Sequence, residues 1–200
     1  MPDPTTRSQI VEAADQLFYR QGYARTSFAD IADAVGISRG NFYYHFKSKD
    51  EILHAVIDSR RANTVAMLGQ WESAGDGPVD RIRSFIQMLI ANRADIQRYG
   101  CPVGTLCGEL AKLSHPSQTE ANEMFTLFRV WLHREFALLG REQDADALAM
   151  HLLARSQGVA TLAHAFCNEA FVEQETRLMN DWLDEQVSVG GQSIGRRAKR

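Results

Sequence analysis

An all-α fold follows from three features of the sequence. Apolar residues recur at three- and four-residue intervals along nearly every segment, the period of an amphipathic helix. Segment boundaries carry glycine or proline, as at Gly22, Gly36, Pro78 and Gly140. Segment starts carry a hydroxyl with a partner three residues on, Thr6 with Gln9 and Ser48 with Glu51, the spacing of a capping box. The chain has 200 residues and is 44% hydrophobic, enough for a core in one medium domain or two small ones.

In chain order, Met1 to Thr5 is a loose arm with two prolines. Ile10, Ala13, Ala14, Leu17 and Phe18 then mark a helix that should end at Gln21-Gly22. Phe28, Ile31, Ala32 and Val35 form the stripe of a second helix, stopped at Gly36. Ile37 fills the corner, and Ser38 caps a third short helix in which Phe42 and Phe46 point inward together. From Ser48 to about Ala74 one long helix carries Ile52, Leu53, Val56, Ile57, Val65, Met67, Leu68 and Trp71. Ser73 to Pro78 is the clearest break. Pro78 opens a helix with Ile82, Phe85, Ile86, Leu89 and Ile90, expected to run to about Tyr99.

Pro102 begins the next helix, which leaves Cys101 beside its N-cap. After the break at Ser114 to Thr119, with Ser117 and Glu120 at capping-box spacing, Met124 to Leu139 form a strongly apolar helix stopped at Gly140. Asp144 opens another, rich in small residues, from Ala145 to Cys167. The last, from about Val172 to Val187, offers Leu178, Met179, Trp182 and Leu183. Residues 189–200 read as a flexible tail with a basic end at Arg196, Arg197, Lys199 and Arg200.

The third helix has an unusual outer face. Arg39, Asn41, Tyr43, Tyr44 and His45 are left pointing away from Phe42 and Phe46, and two adjacent tyrosines cannot both face one core. Such groups suit the major groove of DNA: arginine forks onto guanine, asparagine pairs with adenine, and tyrosine hydroxyls reach phosphates. A tight turn between two short helices, with the polar face on the second, is a helix-turn-helix pattern. Charge adds modest support. The formal net charge is −3, yet from Arg20 to Lys49 five basic residues stand against Asp30 and Asp33.

Thr26-Ser27-Phe28, Asp30-Ile31-Ala32, Val35-Gly36-Ile37-Ser38 and the run Phe42 to Leu53 resemble the N-terminal domain of tetracycline-repressor-like (TetR family) regulators. The resemblance covers Ser8 to Leu53. It implies a helix-turn-helix DNA-binding domain over residues 1–50 and a ligand-binding and dimerisation domain over 51–188. It also implies a homodimer on a palindromic double-stranded operator, released by a small-molecule effector. Base contact then falls to Arg39, Asn41, Tyr44 and His45, and phosphate contact to Thr26, Ser27, Tyr43 and Lys49, with Ser38 and Gly40 in the same interface. The last two helices would pair with their copies.

For an effector, the bulky and adaptable side chains are Met67, Trp71, Phe85, Met88, Met124, Phe125, Phe128 and Trp131, with His164 as a polar handle. Gly100-Cys101-Pro102 opens a second reading, since a thiol at a helix start favours thiolate and a subgroup of the same family senses electrophiles through a cysteine so placed. Packing is the simpler role for Cys101, and more so for Cys107 and Cys167 on apolar faces. The three cysteines contain no CxxC pair and the histidines no paired spacing, which argues against a structural metal or a disulfide scaffold. No cofactor is implied. No apolar run approaches a membrane span and Met1 to Ile10 has no signal-peptide core, so the expected location is the cytoplasm. A small helical enzyme is the remaining alternative. It lacks a nucleophile elbow, a phosphate loop or an HExxH motif.

Overall fold

The computed structural model describes residues 5–197, with side chains through Ser188. Ten helices and no strand are found among the described residues: α1 (Thr6–Gln21), α2 (Phe28–Val35), α3 (Arg39–His45), α4 (Lys49–Ala74), α5 (Pro78–Ala91), α6 (Arg93–Tyr99), α7 (Pro102–Lys112), α8 (Gln118–Leu138), α9 (Ala145–Phe166) and α10 (Glu169–Arg197). The all-α expectation is met.

Two compact units share them. The first takes the chain up to Thr64 together with Pro102–Met124; the second takes Val65–Cys101 and the chain from Phe125 onward. The sequence places a boundary at residue 50. The structure instead keeps most of α4 in the first unit and adds α7, which packs on α1. That pairing joins residues about ninety positions apart and leaves no local signature.

In the first unit the buried side chains come from every helix: Ile10 and Phe18 of α1, Ile31 of α2, Phe42 of α3, Ile52, Leu53, Val56 and Ile57 of α4, Leu106 and Leu110 of α7, and Ala121 and Met124 at the start of α8. Burying each large apolar side chain contributes about 1.5–3 kcal/mol. In the second unit α10 packs on α5 and α9, and α6 on α9, around Phe85, Ile86, Leu132, Phe136, Leu152 and Met179.

Several expectations are corrected. The cap of α1 is Thr5, whose hydroxyl accepts the Ser8 amide at 3.2 Å, one residue before the expected Thr6; Met1 to Pro4 lie outside the described residues. The single helix expected from Pro78 to Tyr99 is two. Asn92 interrupts it by leaving helical geometry, at φ −107° and ψ 11°; its backbone and side-chain amides both donate to Met88 O, at 3.1 and 2.8 Å. At the expected capping box, Ser117 and Glu120 both turn to His54: the Ser117 hydroxyl is 3.4 Å from Nε2 and the Glu120 carboxylate 2.5 Å from Nδ1. Cys167 is not on a packed face. It is exposed and ends α9 in the left-handed conformation, φ 50°. The backbone of α10 continues helically through Gly190, Gly191 and Gly195 to Arg197, where a flexible tail was expected; the side chains of 189–200 and residues 198–200 lie outside the described residues.

Candidate nucleic-acid interface

The interface is built by local signals that agree with one another. Ser27 accepts the Asp30 amide at 3.2 Å while the Asp30 carboxylate accepts the Ser27 amide at 2.7 Å, a reciprocal box that starts α2. The Ser27 bond also holds the Asp30 carboxyl below the usual carboxylate range. Gly36 ends α2 at φ 72°, where a Cβ would be strained, and the amides of Gly36 and Ile37 return to Ala32 O at 2.9 and 3.1 Å. Ser38 accepts the Asn41 amide at 3.3 Å and starts α3.

Phe42 and Phe46 are each only 1% exposed. Arg39, Gly40, Asn41, Tyr43 and Tyr44 are all exposed, Tyr44 to 78%. His45 is half-buried, its ring edge-on to Tyr44 at 5.1 Å. Tyr43 leans on Phe28 of α2, ring centroids 5.6 Å apart, and Phe28 stands edge-on to Phe42 at 5.2 Å. Between α2 and α3 lies a slot of about 310 Å³ bounded by Ser27, Phe28, Ala32, Arg39, Phe42 and Tyr43. The result is a short helix anchored by two phenyl rings, with its polar edge open to solvent.

Two of the expected phosphate ligands are engaged elsewhere. Thr26 is 1% exposed; its hydroxyl donates to Gly22 O at 2.8 Å and accepts from Gln21 at 3.2 Å. Lys49 donates to Tyr23 O at 3.0 Å and Thr26 O at 3.1 Å and sits 4.2 Å above the Tyr23 ring. Both stabilise the loop between α1 and α2, so neither side chain is free for an anion. Ser27 is exposed while capping. Other basic groups stand beside the interface, two of them within the basic excess from Arg20 to Lys49 but not assigned to the site from sequence. Lys47 is exposed and bonds Tyr43 O, Arg25 is exposed, and Arg7 lies 4.6 Å over the Phe46 ring.

Behind the interface, Tyr23 donates to Asp50 at 2.5 Å, with His115 Nε2 3.5 Å from the same carboxylate. Burial and the Asp50 bond push the Tyr23 hydroxyl well above its ordinary value, and the Tyr23 bond holds Asp50 low.

The residues expected to line an effector site do not all gather. Phe85, Phe128 and Trp131 are buried in the second unit's core, with Met67, Trp71, Met88 and Phe125 partly buried against it. Met124, fully buried, belongs to the first unit. His164 is exposed and its Nδ1 is 3.0 Å from Gln97 O, so it is no handle inside an apolar cluster. The polar groups beside the aromatic residues are others. Trp131 donates to Glu72 at 2.9 Å, and Glu72, held low first by its bond to Arg134, lies in one network with the fully buried Glu135. Trp71 packs on Trp131 at 5.6 Å. Cys101 is half-buried against the same core, and Cys107 is buried. No group of three or more metal-ligating side chains occurs among the described residues, and no helix there is long and apolar enough to cross a membrane.

An all-helical protein with an N-terminal helix-turn-helix, its second helix offered to solvent, is the architecture of a helical DNA-binding regulator. Residues 10–56 match the family described as bacterial regulatory proteins, tetR family. An uncharacterized HTH-type transcriptional regulator of Lactococcus lactis is 32% identical over 123 residues, 60% of this chain and 63% of that protein. The HTH-type transcriptional regulator TtgR of Pseudomonas putida is 52% identical over 54 residues, 27% of this chain and 26% of TtgR. The matches therefore span less than two thirds of these relatives' own length. A TetR transcriptional regulator from Legionella pneumophila superposes with a TM-score of 0.78 at 25% identity, covering 92% of this chain and 98% of that one. Residues 10–56 thus carry the helix-turn-helix domain of the TetR family of bacterial regulatory proteins, and the described residues share the fold of a TetR transcriptional regulator.

Proposed function

We propose that the chain is a homodimeric transcriptional repressor that binds a palindromic DNA operator and is released by a small-molecule effector. The exposed edge of α3 carries the reading: Arg39, Asn41 and Tyr44 face solvent while Phe42 and Phe46 anchor the helix from behind. Base contact falls to Arg39, Asn41, Tyr44 and His45, and phosphate contact to Ser27, Tyr43 and the capped start of α3 at Ser38 and Gly40. Lys47 and Arg25 replace Lys49 and Thr26 among the phosphate contacts.

One seven-residue helix gives little surface for specificity, and a twofold dimer supplies a second at half-site spacing. Leu162 and Phe166, one turn apart on α9, and Leu178 of α10 leave apolar side chains exposed for it, Phe166 to 73%. The effector belongs beside Trp71, Met88 and Phe125, where adaptable side chains flank the second unit's core. It acts by favouring a spacing of the two reading helices that misfits the operator.

The test is selection of bound duplexes from a random pool, followed by challenge of the complex with a ligand panel. Enrichment of a palindrome with half-sites one or two helical turns apart is the expected result. A pool returned without any enriched sequence would refute operator recognition.

A further inference from the structure

We propose that Glu109 is a positioning residue for operator binding: through two backbone amides it fixes the loop that leads into the helix-turn-helix. The inference rests on the DNA-binding reading above and names a residue outside the reading helices.

Residues 22–27 join α1 to α2, and several of their polar backbone groups are met by side chains. Each oxygen of the Glu109 carboxylate takes one amide, Oε2 from Tyr23 at 2.8 Å and Oε1 from Ala24 at 2.9 Å. Lys49 takes the carbonyls of Tyr23 and Thr26 from the other side, and the Thr26 hydroxyl takes that of Gly22. An acid thus holds the loop by its donors and a base by its acceptors. Gly22 makes the approach feasible. It adopts φ +93°, and a Cβ there would stand 3.1 Å from both Glu109 oxygens.

Glu109 sits on α7, which is itself tied down at both ends. Arg60 of α4 bridges Pro102 O, at 2.6 Å, to Asp15 of α1, also at 2.6 Å. Beyond the other end, His115 accepts the Ser117 amide on Nδ1 at 3.1 Å, which leaves Nε2 to carry the proton toward Tyr23 and Asp50.

The loop reaches the reading helix in two steps. Thr26 precedes Ser27, the cap of α2, and Phe28 one residue later packs on Phe42 and Tyr43 of α3. A loop released from Glu109 therefore loosens the angle at which α2 presents α3. Specific recognition needs that angle, whereas non-specific attraction to phosphates needs much less of it.

Glu109→Gln keeps the size of the side chain but replaces one acceptor by a donor, so only one of the two amides can stay bonded. The affinities of wild type and variant are measured for the selected operator and for a scrambled duplex of the same length. The ratio of the two affinities should fall about tenfold, since only part of the energy of the lost charge-assisted bond in each subunit bears on the bound geometry. A smaller folded fraction would weaken both duplexes alike and leave the ratio unmoved, so the ratio separates positioning from mere stability. An unchanged ratio overturns the proposal. Hydrogen exchange on the wild-type complex covers a variant that fails to fold. Slow exchange at the Tyr23 and Ala24 amides supports the clamp, and exchange at exposed-loop rates refutes it. A wild type that prefers no duplex overturns both this inference and the operator reading, whereas a preference that survives Glu109→Gln overturns this one alone.

Discussion

Replacing Lys49 by methionine separates two roles that the sequence cannot distinguish. The structure gives its ammonium to Tyr23 O, Thr26 O and the Tyr23 ring. Tyr23 O keeps a second donor, the Thr26 amide at 3.2 Å, so the main loss is the charged bond to Thr26 O. A charge-assisted hydrogen bond is worth about 1.5–3 kcal/mol net and an exposed cation–π contact about 0.5–1. Because the side chain is half-buried and methionine retains the stem packing, the expected cost is about 2 kcal/mol. In a chain of this size that lowers the melting temperature by roughly 4–8 °C. The companion assay is operator affinity against salt. Loss of one phosphate contact would reduce the slope of log affinity against log salt by about 0.9 per subunit. Lys49→Met should leave that slope as in wild type while Lys47→Met reduces it. A Lys49→Met protein with an unaltered melting temperature and a shallower slope would refute the structural assignment and restore Lys49 to the phosphate.

Phe42→Ala should cost about 3–5 kcal/mol, because the 1% exposed ring packs edge-on to Phe28 and holds α3 to α2; urea denaturation reads the cost, and specific DNA binding should be lost. Tyr23→Phe should change the pH dependence of stability at both extremes. Asp50 is held low by the Tyr23 bond, so its contribution is present above about pH 4 and fades as acid is added. Tyr23 is raised, so its contribution is complete below about pH 10 and fades in alkali. The difference in melting temperature between wild type and Tyr23→Phe should therefore shrink at both ends, and a difference independent of pH would contradict the pairing. Phe166→Glu should give a monomer in sedimentation with unchanged helicity, because a charge then replaces the most exposed large apolar side chain at the end of α9; an intact dimer would remove that residue from the interface.

Much of the helix-turn-helix is legible in the chain because its signals are local. Ser27, Gly36 and Ser38 each act within four residues; Phe46, expected on the same helix as Phe42, is instead its extended C-cap at φ −140°, and both rings are buried. The same locality misleads where a partner is remote. Thr26 and Lys49 stand beside helix starts in the sequence, which suits an anion, yet each finds a nearer backbone oxygen once α1 and α4 pack. His164 stands among apolar helix residues and still faces solvent, since its side of α9 is the one left uncovered. Asn92 broke a helix that periodicity alone carries straight through, because the stripe records only apolar positions and not a polar residue that leaves helical geometry between them.

Local rules therefore determined the helices, their caps and the open edge of the reading helix, since caps, glycine stops and i,i+4 stripes act over a turn or two. Tertiary structure decided what those rules cannot reach: α7 joins the first unit, Glu109 grips a loop 85 residues away, and Lys49 serves that loop rather than an exposed phosphate site. The physical reason is that a polar backbone group leaving water must find a partner, and which side chain supplies it depends on packing that brings distant residues together.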